Sequence, residues 1–124
     1  LTRFVSFEAA QQIVQYHGFY IKDAGLLGSA IARPRTSLFG EDAYPAFELK
    51  AAAMMHSVIK NHALVDGNKR TAWSLFYFFL YINDLGHTMN DDQGFDLVLG
   101  LATDKYTIEQ AAEIIGRHLV PLKR

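Results

Sequence analysis

The stretch His62-Ala63-Leu64-Val65-Asp66-Gly67-Asn68-Lys69-Arg70 gathers an imidazole, a carboxylate, a glycine turn and two cations into nine consecutive residues. Phosphoryl or nucleotidyl transfer asks for such a set: a base for an attacking hydroxyl, a carboxylate for Mg2+, and a cradle for phosphate oxygens. Gly67 permits the tight or left-handed backbone of a helix junction. The amides of Gly67, Asn68, Lys69 and Arg70 then fall at or near a helix N-terminus, where unpaired N–H groups and the helix dipole attract anions. Lys69 adds a mobile positive charge and Arg70 a forked one. Asp66 would repel phosphates on its own, so its place beside the cradle makes sense with Mg2+ between them. His62 follows Met55 and Val58 at helical spacing and emerges at the helix end as a general base. A plainer reading competes: Asp-Gly-Asn is a common turn, Lys-Arg is commonly a solvated pair, and a histidine at a helix end is commonly structural.

The elements that must hold this junction are helices. Ser6 caps a first helix through about Tyr16, with Phe7, Ala10, Ile13 and Val14 on one face, and His17-Gly18 ends it. Asp23 caps a second, Ala24–Ala32, which Pro34 stops. Residues 35–44 lack helical periodicity and read as a loop or small hairpin, a flap expected to be mobile and to offer a docking surface. Pro45 suits the first turn of a third helix, which runs to Asn61 or His62 with Phe47, Ala51, Met54, Met55, Val58 and Ile59 as its apolar stripe. Thr71–Leu85 is apolar nearly all round, which predicts the buried centre of the bundle, with Gly86 ending it. Asp91 or Asp92 starts a helix running to about Thr103, and Thr107-Ile108-Glu109-Gln110 is a capping box for a last helix closed before Pro121. No strand of consequence is expected. The fold class is all-α: a compact six-helix bundle in one domain, residues 1–124, around a buried central helix.

Composition narrows the function classes. A chain of 124 residues, half of them hydrophobic, can bury one core. Its net charge of −1 argues against broad binding to nucleic acid. With no cysteine, disulfides and thiolate metal sites are excluded, which suits a cytoplasmic protein. The longest apolar run, near Leu75–Ile82, is too short for a bilayer, and no signal-peptide pattern opens the sequence. His56 and His62 stand six apart and do not share a helical face as zinc pairs do. His17, His87 and His118 lack ligand-spaced neighbours, so surface or capping roles are expected of them. The aromatic run Phe76–Tyr81 and the pair Met54-Met55 read as core.

The nine residues resemble the signature of the Fic/Doc (Fido) family, His-Pro-Phe-x-Asp-Gly-Asn-Gly-Arg. The likeness is greatest to its Doc branch, the death-on-curing toxins, which carry Asn-Lys-Arg as at Asn68-Lys69-Arg70, here followed by Thr71-Ala72. It extends upstream through Lys22–Pro34, Tyr44-Pro45 and Lys50–Ala53. Position by position, the resemblance implies His62 as general base, Asp66 as Mg2+ ligand, and Gly67, Asn68, Lys69 and Arg70 as the nucleotide-phosphate site. Ala63 and Leu64 replace the signature's Pro and Phe, with Leu64 still expected as the buried anchor of the loop.

Two further departures bear on the reaction. Lys69 stands where AMP-transferring members have a second Gly, and Trp73 where they have a second Arg. A lysine side chain fills space and adds charge, favouring a reversed nucleotide with its γ-phosphate at the nest. The Doc branch implies phosphate transfer from ATP, or another nucleoside triphosphate, to a Ser/Thr hydroxyl of a target resembling translation elongation factor Tu. AMP transfer with the same residues is the nearest alternative, and a non-catalytic, antitoxin-partnered anion-binding module the more distant one. Ser37–Asp42 makes a poor match to the inhibitory helix of many Fic proteins, since it ends in Asp and contains Gly40. A brake supplied in trans is therefore expected: a Phd-like antitoxin whose disordered tail folds into an apolar groove near the first helices. Neither nucleic acid nor membrane is expected as a direct partner.

Overall fold

The computed structural model describes residues 1–123. Its elements run α1 (Phe7–Tyr16), α2 (Ala24–Ala32), a 3-10 turn (Arg33–Arg35), β1 (Ser37–Leu38), β2 (Glu41–Asp42), α3 (Phe47–Asn61), α4 (Asn68–Ile82), β3 (Leu85–His87), α5 (Asp91–Ala102), α6 (Ile108–His118) and β4 (Leu119–Pro121). The result is a compact six-helix bundle with two small antiparallel strand pairs.

Local chemistry starts most of the helices. Ser6 Oγ accepts from Ala9 N–H at 3.1 Å, and Asp23 Oδ1 from Leu26 N–H at 3.1 Å. Thr107 and Gln110 close the expected capping box, and Asn90 with Gln93 forms a second one, so α5 is capped one residue before Asp91. Residues 37–42 form the hairpin, with Phe39 (φ 53°) and Gly40 (φ 81°) at its turn.

Several boundaries differ from the sequence expectation. Pro45 lies outside α3, one residue before the cap Ala46, where its fixed φ leads the chain into the cap. α4 begins at Asn68 rather than Thr71, so Lys69 and Arg70 belong to its first turn, and it ends at Ile82. Gly86 sits in β3 instead of ending α4, because Leu85–His87 pairs with the distant Leu119–Pro121. These strands are three residues each, too short to carry a periodicity.

The centre of the bundle also shifts. α3, not α4, is the helix against which α2, α4, α5 and α6 all pack. Ala51-Ala52-Ala53 bring neighbouring backbones close on every side of α3, and all three are fully buried. α4 buries Thr71, Ala72, Leu75, Phe76, Phe79 and Leu80, yet Tyr77 and Tyr81 of its aromatic run face water at 58% and 49% exposure. Their hydroxyls make that exposure inexpensive. No helix among the described residues is long and apolar enough to cross a membrane.

Candidate active site

The motif occupies the junction between α3 and α4. His62 caps the C-terminus of α3 in the left-handed region (φ 51°, ψ 47°) and is exposed. A non-glycine residue there costs on the order of 1–2 kcal/mol, so the surrounding structure must impose it. It does so by stitching the next residues to the α1–α2 connection. Lys22 and Asp23 N–H both donate to Ala63 C=O, at 2.8 and 3.0 Å, and Val65 N–H donates to Tyr20 C=O at 3.1 Å. Ile21 and Leu64 form an isolated antiparallel bridge between those bonds. Leu64, 1% exposed, is the expected buried anchor.

Asn68 closes the loop from the other side. Its Oδ1 accepts from Leu64 N–H at 3.1 Å and its Nδ2 donates to Leu64 C=O at 3.2 Å. The side chain thus shapes the turn, while the Asn68 backbone amide takes no part in these bonds. Gly67 takes φ 82°, and a Cβ there would fall 2.3 Å from the Phe19 ring, so only glycine fits both the conformation and the contact. Its N–H donates to Asp66 Oδ1 at 2.8 Å. The first amide of α4 to bond within the helix is that of Thr71, to Gly67 C=O at 2.9 Å.

The amides of Asn68, Lys69 and Arg70 consequently have no acceptor among the described residues, and they stand at the positive end of a fifteen-residue helix. The exposed Lys69 and Arg70 side chains flank them, and neither forms an ion pair; the pairs in the described residues are Lys50–Asp42, Lys60–Asp104, Lys105–Asp96 and Arg117–Glu113. Buried Thr71 Oγ1, one turn further in, has no hydrogen-bond partner.

Asp66 is exposed, with one carboxylate oxygen engaged by Gly67 N–H and the other without a protein partner. No cluster of three or more His, Cys, Asp or Glu suitable for a metal occurs among the described residues. A lone hard oxygen ligand beside an anion cradle is nevertheless the donor set that suits Mg2+, which is commonly shared between one or two carboxylates and substrate phosphates. The residues present fit the ion.

Trp73 lies in the seam between α4 and α5. A Cβ on Gly94 would meet its indole at 2.7 Å, and its ring stands edge-on to His87 at 5.3 Å. The remaining histidines serve structure. His17 ends α1 and bonds Ser74 Oγ through Nε2 at 2.8 Å, and His118 Nδ1 pairs with Thr88 Oγ1 at 2.8 Å. His87, expected at the surface or in a cap, is instead half-buried among Trp73, Phe76 and Tyr77, with Nδ1 accepting from Met89 N–H at 3.0 Å. Burial, then the charge of His118, lowers its pKa. Burial, then the charges of Arg33 and Lys60, lowers that of His56, whose Nδ1 lies 2.9 Å from Arg33 Nη1.

Comparison with known proteins agrees with the geometry. Residues 5–80 match the Fic/DOC family, and 99 residues are 46% identical to a protein named Toxin Doc from Mycolicibacterium smegmatis, covering 77% of this chain and 76% of that one.

The chain belongs to the Fic/Doc family.

Within this Fic/Doc chain, sequence reasoning found the motif but missed the parts that hold it. Phe19, Tyr20 and Ile21 lie outside every stretch that carried the likeness, and the one local hint is Gly18 (φ 77°), whose turn follows α1; Lys22 and Asp23 lie inside that likeness, but nothing in their residue types announces their backbone bonds to Ala63.

Proposed function

We propose that this chain is the toxin of a toxin–antitoxin pair, acting in the cytoplasm as a phosphotransferase on a protein Ser/Thr hydroxyl. The observation that supports the reading is that His62, Asp66 and three amides without an acceptor lie in one junction, tied down by backbone bonds to residues 20–23. In this scheme His62 takes the proton of the acceptor hydroxyl as its oxygen attacks the γ-phosphorus of ATP or another nucleoside triphosphate. The bond from that phosphorus to the β–γ bridging oxygen breaks, and the nucleoside diphosphate leaves with the electron pair. The amides of Asn68, Lys69 and Arg70, with the two side-chain cations, hold the charge that develops on the phosphate oxygens. Mg2+ on Asp66, when bound, neutralises the phosphates and offsets the carboxylate's repulsion.

Lys69, in place of a second glycine, favours the γ-phosphate at the turn. Trp73, packed on Gly94, supplies none of the charge that a second arginine would bring for AMP transfer. The target reading, a protein resembling translation elongation factor Tu, rests on the Doc likeness. So does the antitoxin: a cleft of about 430 Å3 lined by Gln11, Val14, Gln15, Phe19, Tyr20 and Ile21 suits the folding tail of a Phd-like partner.

The test is transfer from ATP labelled at either the α- or the γ-phosphate, with bacterial lysate as acceptor. Label from the γ-position is expected, lost by about 10²–10⁴-fold in His62→Ala and comparably reduced in Asp66→Ala. Transfer of the α-label alone would establish AMP transfer and overturn the kinase reading. Unchanged toxicity and unchanged modification in both variants would make the site an anion-binding one without catalysis.

A further inference from the structure

Gly67, the N-cap of α4, and Ser74 are spaced two helical turns apart in sequence, so they share one face of the helix, with Arg70 between them on that face. The end of α1 grips this face at both points. His17 Nε2 and Ser74 Oγ are hydrogen-bonded at 2.8 Å, and the Phe19 ring is seated on the bare Cα of Gly67. The two gripping rings stack on each other, with centroids 5.8 Å apart and planes at 30°. Gly18, at φ 77° and with nothing within 4 Å of where a Cβ would stand, is the joint between them. Among the described residues, the His17–Ser74 bond is the one hydrogen bond that ties α1 and its exit turn to the body of α4.

A ring resting on a Cα is held by apolar contact, which has no direction and lets the ring slide. Phe19 is only part-buried, and Tyr20 after it is 77% exposed, so burial alone does not pin this connection. The His17–Ser74 bond has direction, and it acts one residue before the Gly18 joint. From this we infer that His17 and Ser74 are positioning residues. Their bond keeps the Phe19 ring on Gly67, and so sets the amides of Asn68, Lys69 and Arg70 and the place from which the Arg70 side chain leaves the helix. The strap depends on the same anchor, since Tyr20, Lys22 and Asp23 carry the bonds to Val65 and Ala63. Both residues act through Phe19 and Gly67 rather than on a substrate. That the turn so held takes nucleotide phosphates rests on the proposed phosphotransferase reading; the anchoring itself does not.

The experiment compares Ser74→Ala, Ser74→Thr and His17→Phe in the full chain, with Thr107→Ala, which removes the cap of α6, as the control for general destabilisation. Amide exchange at Lys22, Asp23 and Val65 is expected to rise about three- to tenfold in Ser74→Ala, the effect of one neutral hydrogen bond on local opening. It should return to the wild-type rate in Ser74→Thr, which keeps the hydroxyl. Binding of ATP with Mg2+, followed by calorimetry, is expected to weaken by about the same factor in Ser74→Ala and to recover in Ser74→Thr. His17→Phe keeps the ring stack and loses the bond, so it should match Ser74→Ala. Thr107→Ala should lower the melting temperature and leave both readouts unchanged. Unchanged exchange in Ser74→Ala and His17→Phe would overturn the inference, as would faster exchange beside an unchanged ATP affinity. Equal losses in Thr107→Ala would also overturn it, since they would come from general destabilisation. If Ser74→Ala does not fold, His17→Phe decides by the same measurements. If the wild-type chain binds no ATP, the proposed function fails, while exchange at the three amides still judges His17 and Ser74.

Discussion

Replacing Gly67 by alanine tests whether the turn is fixed by sterics. Two costs are separable. The first is conformational: φ 82° lies in the left-handed region, where a Cβ costs on the order of 1–2 kcal/mol. The second is overlap: the new Cβ would sit 2.3 Å from Phe19 Cε2 and 2.4 Å from Cδ2 and Cζ. Carbon atoms rest about 3.5 Å or more apart, so the ring must retreat by about 1.2 Å, and such overpacking costs about 1–3 kcal/mol. Together the loss is about 2–5 kcal/mol, a large share of a small domain's stability of roughly 5–15 kcal/mol. A double-mutant cycle with Phe19→Ala separates the two. In that background the overlap is gone and Gly67→Ala should cost only the conformational part, giving a coupling of about 1–3 kcal/mol. Urea unfolding of the four proteins, with matching m values, measures it. A cost for Gly67→Ala that is the same in both backgrounds within about 0.5 kcal/mol would refute the steric account.

Two further outcomes follow from the same geometry. Asn68→Ala strips the Leu64 N–H and C=O of their partners and should cost about 1–3 kcal/mol, with faster exchange of the Leu64 amide; Asn68→Asp should not restore it, since it cannot donate to Leu64 C=O. Because the pKa of His56 is depressed by burial and by Arg33, its contribution to stability is fully present above the unfolded value near 6.5 and is lost as pH falls through the lowered folded value. His56→Gln should therefore flatten the decline in melting temperature as pH falls below about 6.5; an unchanged slope would remove His56 from that role.

Local chemistry made much of this protein legible in its sequence. Ser6, Asp23 and the Thr107–Gln110 pair cap helices through bonds spanning three residues, so their effect is written within a short window. The hairpin at 37–42 and the reactive set at 62–70 were equally local, and residues within one turn stay together whatever the rest of the chain does. Tertiary structure decided the remainder. It made α3 the centre although α4 is more aromatic, because small side chains admit neighbours on every side. It paired Leu85–His87 with Leu119–Pro121 across more than thirty positions of sequence. It also turned the motif from a list of groups into a site. Phe19 closes on Gly67, the backbone at 20–23 ties down 63–65, and Asn68 secures Leu64. The sequence determined which reactive groups are present and that they lie close together. Where they are held, and which amides are left without an acceptor, depends on long-range backbone bonds and a ring seated on a bare Cα, and neither has a signature in residue type.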